Sequence, residues 1–148
     1  MSSFEVVSHK AEVGRQIMSK LKQAATMIGG TVEGHAKERC PVDTGLLRNS
    51  ITYAIGGQPV NTPEYKSNDV DKNKNKIEVQ TGAYTAQAPA DEDGQITVYV
   101  GTNVHYAPHQ ELGAPTINLP ARPFLRPAFE NHKDEIEQIL KKTLGSIR

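Results

Sequence analysis

The chain has 148 residues, enough for one domain that buries roughly two-thirds of its unfolded surface, and 17 basic residues balance 17 acidic ones. That balance argues against a module built to grip nucleic acid, which carries a basic excess or stripe. Cys40 is the only cysteine, so an intramolecular disulfide framework is excluded and the composition fits a cytosolic protein.

The first thirty residues hold no apolar run suited to a signal peptide or a membrane span, so no membrane association is expected. From His9 to Ala36, apolar residues recur every three or four positions at Val13, Ile17, Leu21, Ala24, Ile28, Val32 and Ala36. This spacing predicts a long amphipathic helix. Gly29, Gly30 and Gly34 weaken it and are places for a bend or break. Pro41 disfavours a helical Cys40 and closes the element.

"DTGLLRNS" then reads as one helical turn capped by Asp43 or Thr44, and Ile51, Tyr53 and Ile55 alternate as a first strand. The next stretch, Gly56 to Asn75, is polar, carries two prolines and many turn formers, and reads as a long flexible loop. Its candidate contact residues are Tyr65, Lys66, Lys72 and Lys74, with Lys76 just beyond. "DVDKNKNKIE" alternates acids and amides like a calcium loop, but it lacks the central glycine and places lysines among the ligand positions.

Two further strands are expected in "KIEVQTGAYT" and "QITVYVGT", linked by "APADEDG", which has the character of a hairpin turn. "YAPHQELG" follows with Pro108 near the start of a short helix and Gly113 at its end. "PTINLPARPFLRP" reads as extended. A last helix runs from about Pro127 to Leu144, with Phe129, His132, Ile136, Ile139, Leu140 and Leu144 as its buried stripe. The order predicts one α+β domain over residues 1–148: a mainly antiparallel sheet of three or four strands packed with a long N-terminal helix and a C-terminal helix.

Chemistry-bearing residues are few. Cys40 has His35 five residues before it but no recognisable orienting group or oxyanion hole, which favours a buried, inert thiol. His105, His109 and Glu111 have loose metal-ligand spacing, and they define a rival reading as a small metal-dependent hydrolase. Pro108 between the histidines and the absence of an HExxH signature weigh against it. Arg39, Arg48, Arg122 and Arg126 could hold Asp43 or Glu111 as bidentate partners. No catalytic residue, cofactor site or metal site is assigned.

Three segments taken together, "CPVDTGLLRNSI", "VGTNVHYAPHQELG" and "LPARPFLRPAFE", resemble the head-tail joining or tail-completion proteins of long-tailed bacteriophages and prophages. The chain departs from that pattern at Leu112, where an aromatic residue is frequent, and at Ala114, where Thr is common. The resemblance implies a non-enzymatic virion protein of the neck: a tail-terminator ring, in all expectation a hexamer, that caps the tail tube and meets the head connector. Its implied partners are copies of itself, the tail tube protein and a head-completion or connector protein, with DNA passing through the ring without specific binding. A head-side adaptor or stopper is the alternative of the same class. The residues that carry the resemblance are Pro41, Asp43, Thr44, Gly45, Leu47, Arg48, Ser50, Glu111, Gly113, Arg122, Pro123 and Phe124, and the resemblance implies structural roles for them. Glu111 and Arg122 in particular would hold the segment after the third strand against the one before the last helix.

Overall fold

The computed structural model describes residues 10–42, 45–62, 64–70, 73–81 and 84–145. Its architecture is α+β. Helix α1 (Lys10–Arg39) is followed by a single-turn helix α2 (Leu46–Ser50) and strand β1 (Thr52–Ile55). Strands β2 (Pro59–Thr62), β3 (Tyr65–Val70), β4 (Lys76–Thr81), β5 (Tyr84–Gln87) and β6 (Val98–Gly101) come next. The chain ends in α3 (Ala107–Leu112), a 3-10 turn at Pro115–Ile117, α4 (Leu125–Glu130) and α5 (Lys133–Leu144).

Helix α1 does not break at its glycines. At Gly29 an added Cβ would overlap the ring of Tyr53 on β1, so the missing side chain lets helix and strand close together. Its apolar stripe is only partly covered. Ala24, Ala25, Val32 and Ala36 are buried, whereas Val13 is 46% and Ile17 40% exposed. Helix α1 packs against β1, β6, α4 and α5, and that contact surface determines which part of the stripe is used.

Among the described residues the strands form three antiparallel pairs: β1 with β6, β2 with β5, and β3 with β4. The last two pairs share one register, since Pro59 faces Gln87 and Val70 faces Lys76, and in each case the two numbers sum to 146. They are two halves of one long hairpin, called the arm below. Its described ladder stops at 62 and resumes at 65, and residue 63 is a proline, which has no N–H to donate.

This arm corrects two sequence expectations. The stretch read as a structureless loop from Gly56 to Asn75 contains β2 and β3, and "KIEVQTGAYT" is divided between β4 and β5. "APADEDG" is not the turn of a hairpin either, because β5 and β6 turn to different partners. There the Asp91 carboxylate accepts a hydrogen bond from the Thr97 N–H at 3.1 Å and shapes an irregular link.

In β1 the buried residues are Ala54 and Ile55, with Ile51 buried just before the strand, so strict alternation fails. Ile51 caps α2 and points into the core while the chain is still turning. The helix expected over 127–144 is two helices broken at Asn131 and His132. That break changes the helical phase: Phe129 is 49% exposed, and Ala128 and Thr143 are buried in its stead.

Candidate functional site

The three segments singled out in the sequence meet in space. One cluster of buried residues joins Val32 and Ala36 of α1 to Cys40, Leu46, Leu47 and Ile51 of the first segment, Val104 and Ala107 of the second, and Phe124 and Ala128 of the third. Phe124 is fully enclosed. Each segment supplies side chains to this core, and its polar residues make the joints around it.

The joint between the second and third segments centres on Glu111. Its Oε2 accepts hydrogen bonds from the backbone N–H groups of Phe124 at 2.7 Å and Leu125 at 3.0 Å, and its Oε1 accepts from Arg126 at 2.9 Å. These are the N–H groups that open α4, whose own sequence provides no side-chain cap. Glu111 therefore caps a helix from another helix. Its burial pushes the carboxyl upward, but the three N–H bonds and the nearby Arg126 charge outweigh it and hold the group below its ordinary value.

Arg122 enters this joint through its main chain: its N–H donates to the Gln110 carbonyl at 2.7 Å, and its side chain is exposed. The expected arginine fork to Glu111 is thus replaced by backbone donors. Gly113 has φ 78°, and an added Cβ would lie 2.9 Å from the Ala121 nitrogen, so both its conformation and its crowding require glycine. Pro123 is exposed beside the enclosed Phe124.

The first segment is joined to the second by Ser50. Its hydroxyl donates to the Leu47 carbonyl at 2.7 Å and shares a hydrogen bond with the Thr102 hydroxyl at the end of β6. Leu47 is buried and Arg48 exposed, while Gly45, at φ 79°, occupies the N-cap position of α2. The capping roles expected of Asp43 and Thr44 lie outside the described residues. Pro41 follows the last α1-type hydrogen bond, from the Cys40 N–H to the Ala36 carbonyl at 2.9 Å.

Among the described residues, the only hydrogen bond of the Cys40 thiol is to the Pro41 carbonyl at 3.5 Å. Burial pushes the thiol up to about 11, against a smaller opposing effect of Arg48. His35 serves another purpose, with Nε2 2.8 Å from Glu135 Oε2. Of the residues of the hydrolase reading, Glu111 accepts backbone N–H groups on both oxygens, and His105 packs edge-on against Tyr106.

On the arm, Lys66 pairs with Glu64 at 3.1 Å with both side chains well exposed, and exposed Lys74 has φ 63° near the hairpin tip. Lys72 lies outside the described residues, as do the side chains of Tyr65 and Lys76. Between the arm base and the β1–β6 pair is an open, mostly apolar cleft of about 330 Å³, lined by Ala54, Val60, Ala86, Tyr99 and Val100 among others. No helix among the described residues is long and apolar enough to cross a membrane.

Sequence reasoning missed the capping role of Glu111 and the arm. Both left signals. "ARPFLRP" has no Ser, Thr, Asp or Asn to open α4, which calls for an acceptor from elsewhere. "DKNKN" is a set of turn formers between two stretches containing Val, Ile, Thr and Tyr.

The motif residues thus serve the subunit's core and the joints around it. A family model described as "Bacteriophage HK97-gp10, putative tail-component" matches residues 4–113. The chain belongs to this HK97-gp10-like family of phage tail components, and its role is structural, in the phage tail or neck. The match spans the first two motif segments and ends before the third. No curated protein and no solved structure matches the chain.

Proposed function

We propose that the protein is a tail-completion or tail-terminator subunit that forms a ring, a hexamer in the simplest reading, capping the tail tube and meeting the head connector. Assembly takes place in the cytoplasm of the bacterial host, and DNA passes through the ring without base-specific contacts. The observation that carries this reading is the division of labour in the chain. The motif segments close the subunit's own core, while the arm's strands form ladders only with each other among the described residues, with β2 lying beside β1 and β3 beside α2, so each arm ladder is two strands wide. The edges of such a ladder can accept a strand from a neighbouring copy or from the tube. Val42, Leu112 and Ile117, each more than half exposed, add apolar surface near the motif joints.

In this reading the arm's exposed lysines, Lys66 on β3 and Lys74 near the tip, settle on a matching surface only when subunits join or dock. Ordering costs roughly 1–2 kcal/mol per residue, which the new contacts offset. The experiment replaces residues 61–85 by a two-residue Asn-Gly turn and follows ring formation by native mass spectrometry, with and without tail-tube protein. A folded subunit that neither forms rings nor supports phage yield is the expected result. Normal rings and normal yield from the shortened protein overturn the proposal. Binding of the full-length protein to connector but not tube points to a head-side adaptor instead.

A further inference from the structure

His35, His132 and Glu135 form a cluster that the motif joints do not use. His35 lies one turn before the end of α1, His132 in the break between α4 and α5, and Glu135 in the first turn of α5. One donor atom from each lies within 4.8 Å of the others. The two imidazoles stack with centroids 3.4 Å apart and planes 9° from parallel. We propose that this cluster binds a divalent transition-metal ion, Zn²⁺ best fitting its nitrogen and oxygen donors, and thereby clamps the N-terminal helix to the C-terminal one.

The hydrogen bonds around the rings favour this chemistry. His132 Nδ1 lies 3.0 Å from the Ala128 carbonyl, an acceptor only, so that nitrogen carries the proton and Nε2 keeps a free lone pair. His35 Nδ1 lies 3.5 Å from Glu38 Oε2, and its Nε2 faces Glu135. With the His35 proton on Nδ1 and directed at Glu38, both Nε2 atoms and a Glu135 oxygen are available to one ion. A carboxylate or carbonyl holding the non-ligating N–H is the usual support of a metal-bound histidine.

Tetrahedral zinc, with bonds of about 2.0–2.2 Å, keeps its ligands about 3.3–3.5 Å apart. Closing the cluster to that spacing requires the stacked rings to turn, and the side chains involved are partly open to solvent, with His35 22% and Glu135 49% exposed. Parallel rings direct their lone pairs side by side, so binding splays the stack. Two histidines and one carboxylate leave a fourth position for water, and the one proton of the neutral His35 ring, which bonds Glu135 from Nε2 in the metal-free form, moves by exchange with solvent to Nδ1.

The test uses the full chain stripped with chelator. Zn²⁺ titration is followed by calorimetry and thermal unfolding, with Co²⁺ as a visible-absorption probe of tetrahedral nitrogen and oxygen ligation. One equivalent per chain is expected, with Tm rising by roughly 5–10 °C at a hundredfold excess over Kd. Glu135→Gln and His132→Gln should each weaken binding at least about tenfold, by analogy with the loss of supporting groups around metals. Glu135→Gln, on a half-exposed residue, keeps the fold intact and carries the test if His132→Gln does not. A variant with His9, His105 and His109 all changed to Ala should bind as the parent does. No uptake of Zn²⁺, undiminished affinity in Glu135→Gln, or loss of uptake in the triple variant overturns the site.

Discussion

The core around Phe124 and the arm from Pro59 to Gln87 stabilise themselves in opposite ways. The core gathers residues from α1, α2, the start of α3 and α4, far apart in the chain, and encloses them. The arm pairs neighbouring stretches of chain through backbone hydrogen bonds, and its described side chains, such as Glu64, Lys66 and Thr85, are mostly exposed. Burial of apolar surface is worth roughly 25 cal/mol per Å², whereas a two-stranded ribbon in water is marginal by itself. The recognisable motifs therefore belong to the region that builds the enclosed core, and the arm, which touches the rest of the subunit where β2 meets β1 and β3 meets α2, carries almost none.

The largest effect expected on stability is at the core. Phe124→Ala removes a fully enclosed ring from the core cluster to which all three segments contribute and should cost about 3–5 kcal/mol. Chemical denaturation of the purified subunit measures it directly. A loss below about 1 kcal/mol would mean that the segments do not depend on a shared centre.

Glu111→Ala should follow at about 1–3 kcal/mol, since three helix-opening N–H groups lose a charged acceptor. Its pH dependence has a definite sign. A carboxyl held below its ordinary value of 4.5 contributes stability that is fully present above that value and is lost as pH falls through the folded one. The Tm difference between the parent and Glu111→Gln should therefore be constant near neutral pH and shrink as pH falls below 4.5. A difference that grows on acidification contradicts the capping role.

Glycines of one helix sharpen the comparison at smaller scale. Gly29→Ala gains up to about 1 kcal/mol of helix propensity but collides with Tyr53, for a net loss of about 1–2 kcal/mol. At Gly34 an added Cβ meets nothing within 4 Å, so Gly34→Ala should stabilise by about 0.5–1 kcal/mol. In a Tyr53→Ala background the Gly29→Ala penalty should disappear, a double-mutant cycle that isolates the contact.

The smallest effect on the isolated subunit is expected from shortening the arm between residues 61 and 85. Its Tm should move by no more than a few degrees, because the enclosed core lies outside the deletion. Unfolding of the shortened chain would place the arm within the folding unit and end the contrast between the two regions.

Much of this architecture was legible from local pattern. The 3.6-residue spacing of Val13 to Ala36 marked α1, Pro108 and Gly113 bracketed α3, and Val98 and Val100 flanking Tyr99 marked β6, because helix and strand periods are properties of the chain itself. The quoted segments also carried the family membership and, through it, the structural role. Tertiary structure decided the rest. It determined that Phe129 faces out while Ala128 is buried, since a break at His132 shifts the helical phase. It joined residues 59–87 into an arm, since strand pairing depends on a partner that lies up to 28 residues away, as for Pro59 and Gln87, and local polarity does not reveal it. It gave Glu111 the N–H groups of α4 instead of an arginine, and it stacked His35 on His132 from opposite ends of the chain. Periodicity describes which face of an element is apolar, and only the packed chain determines what that face, or a carboxylate beside it, meets.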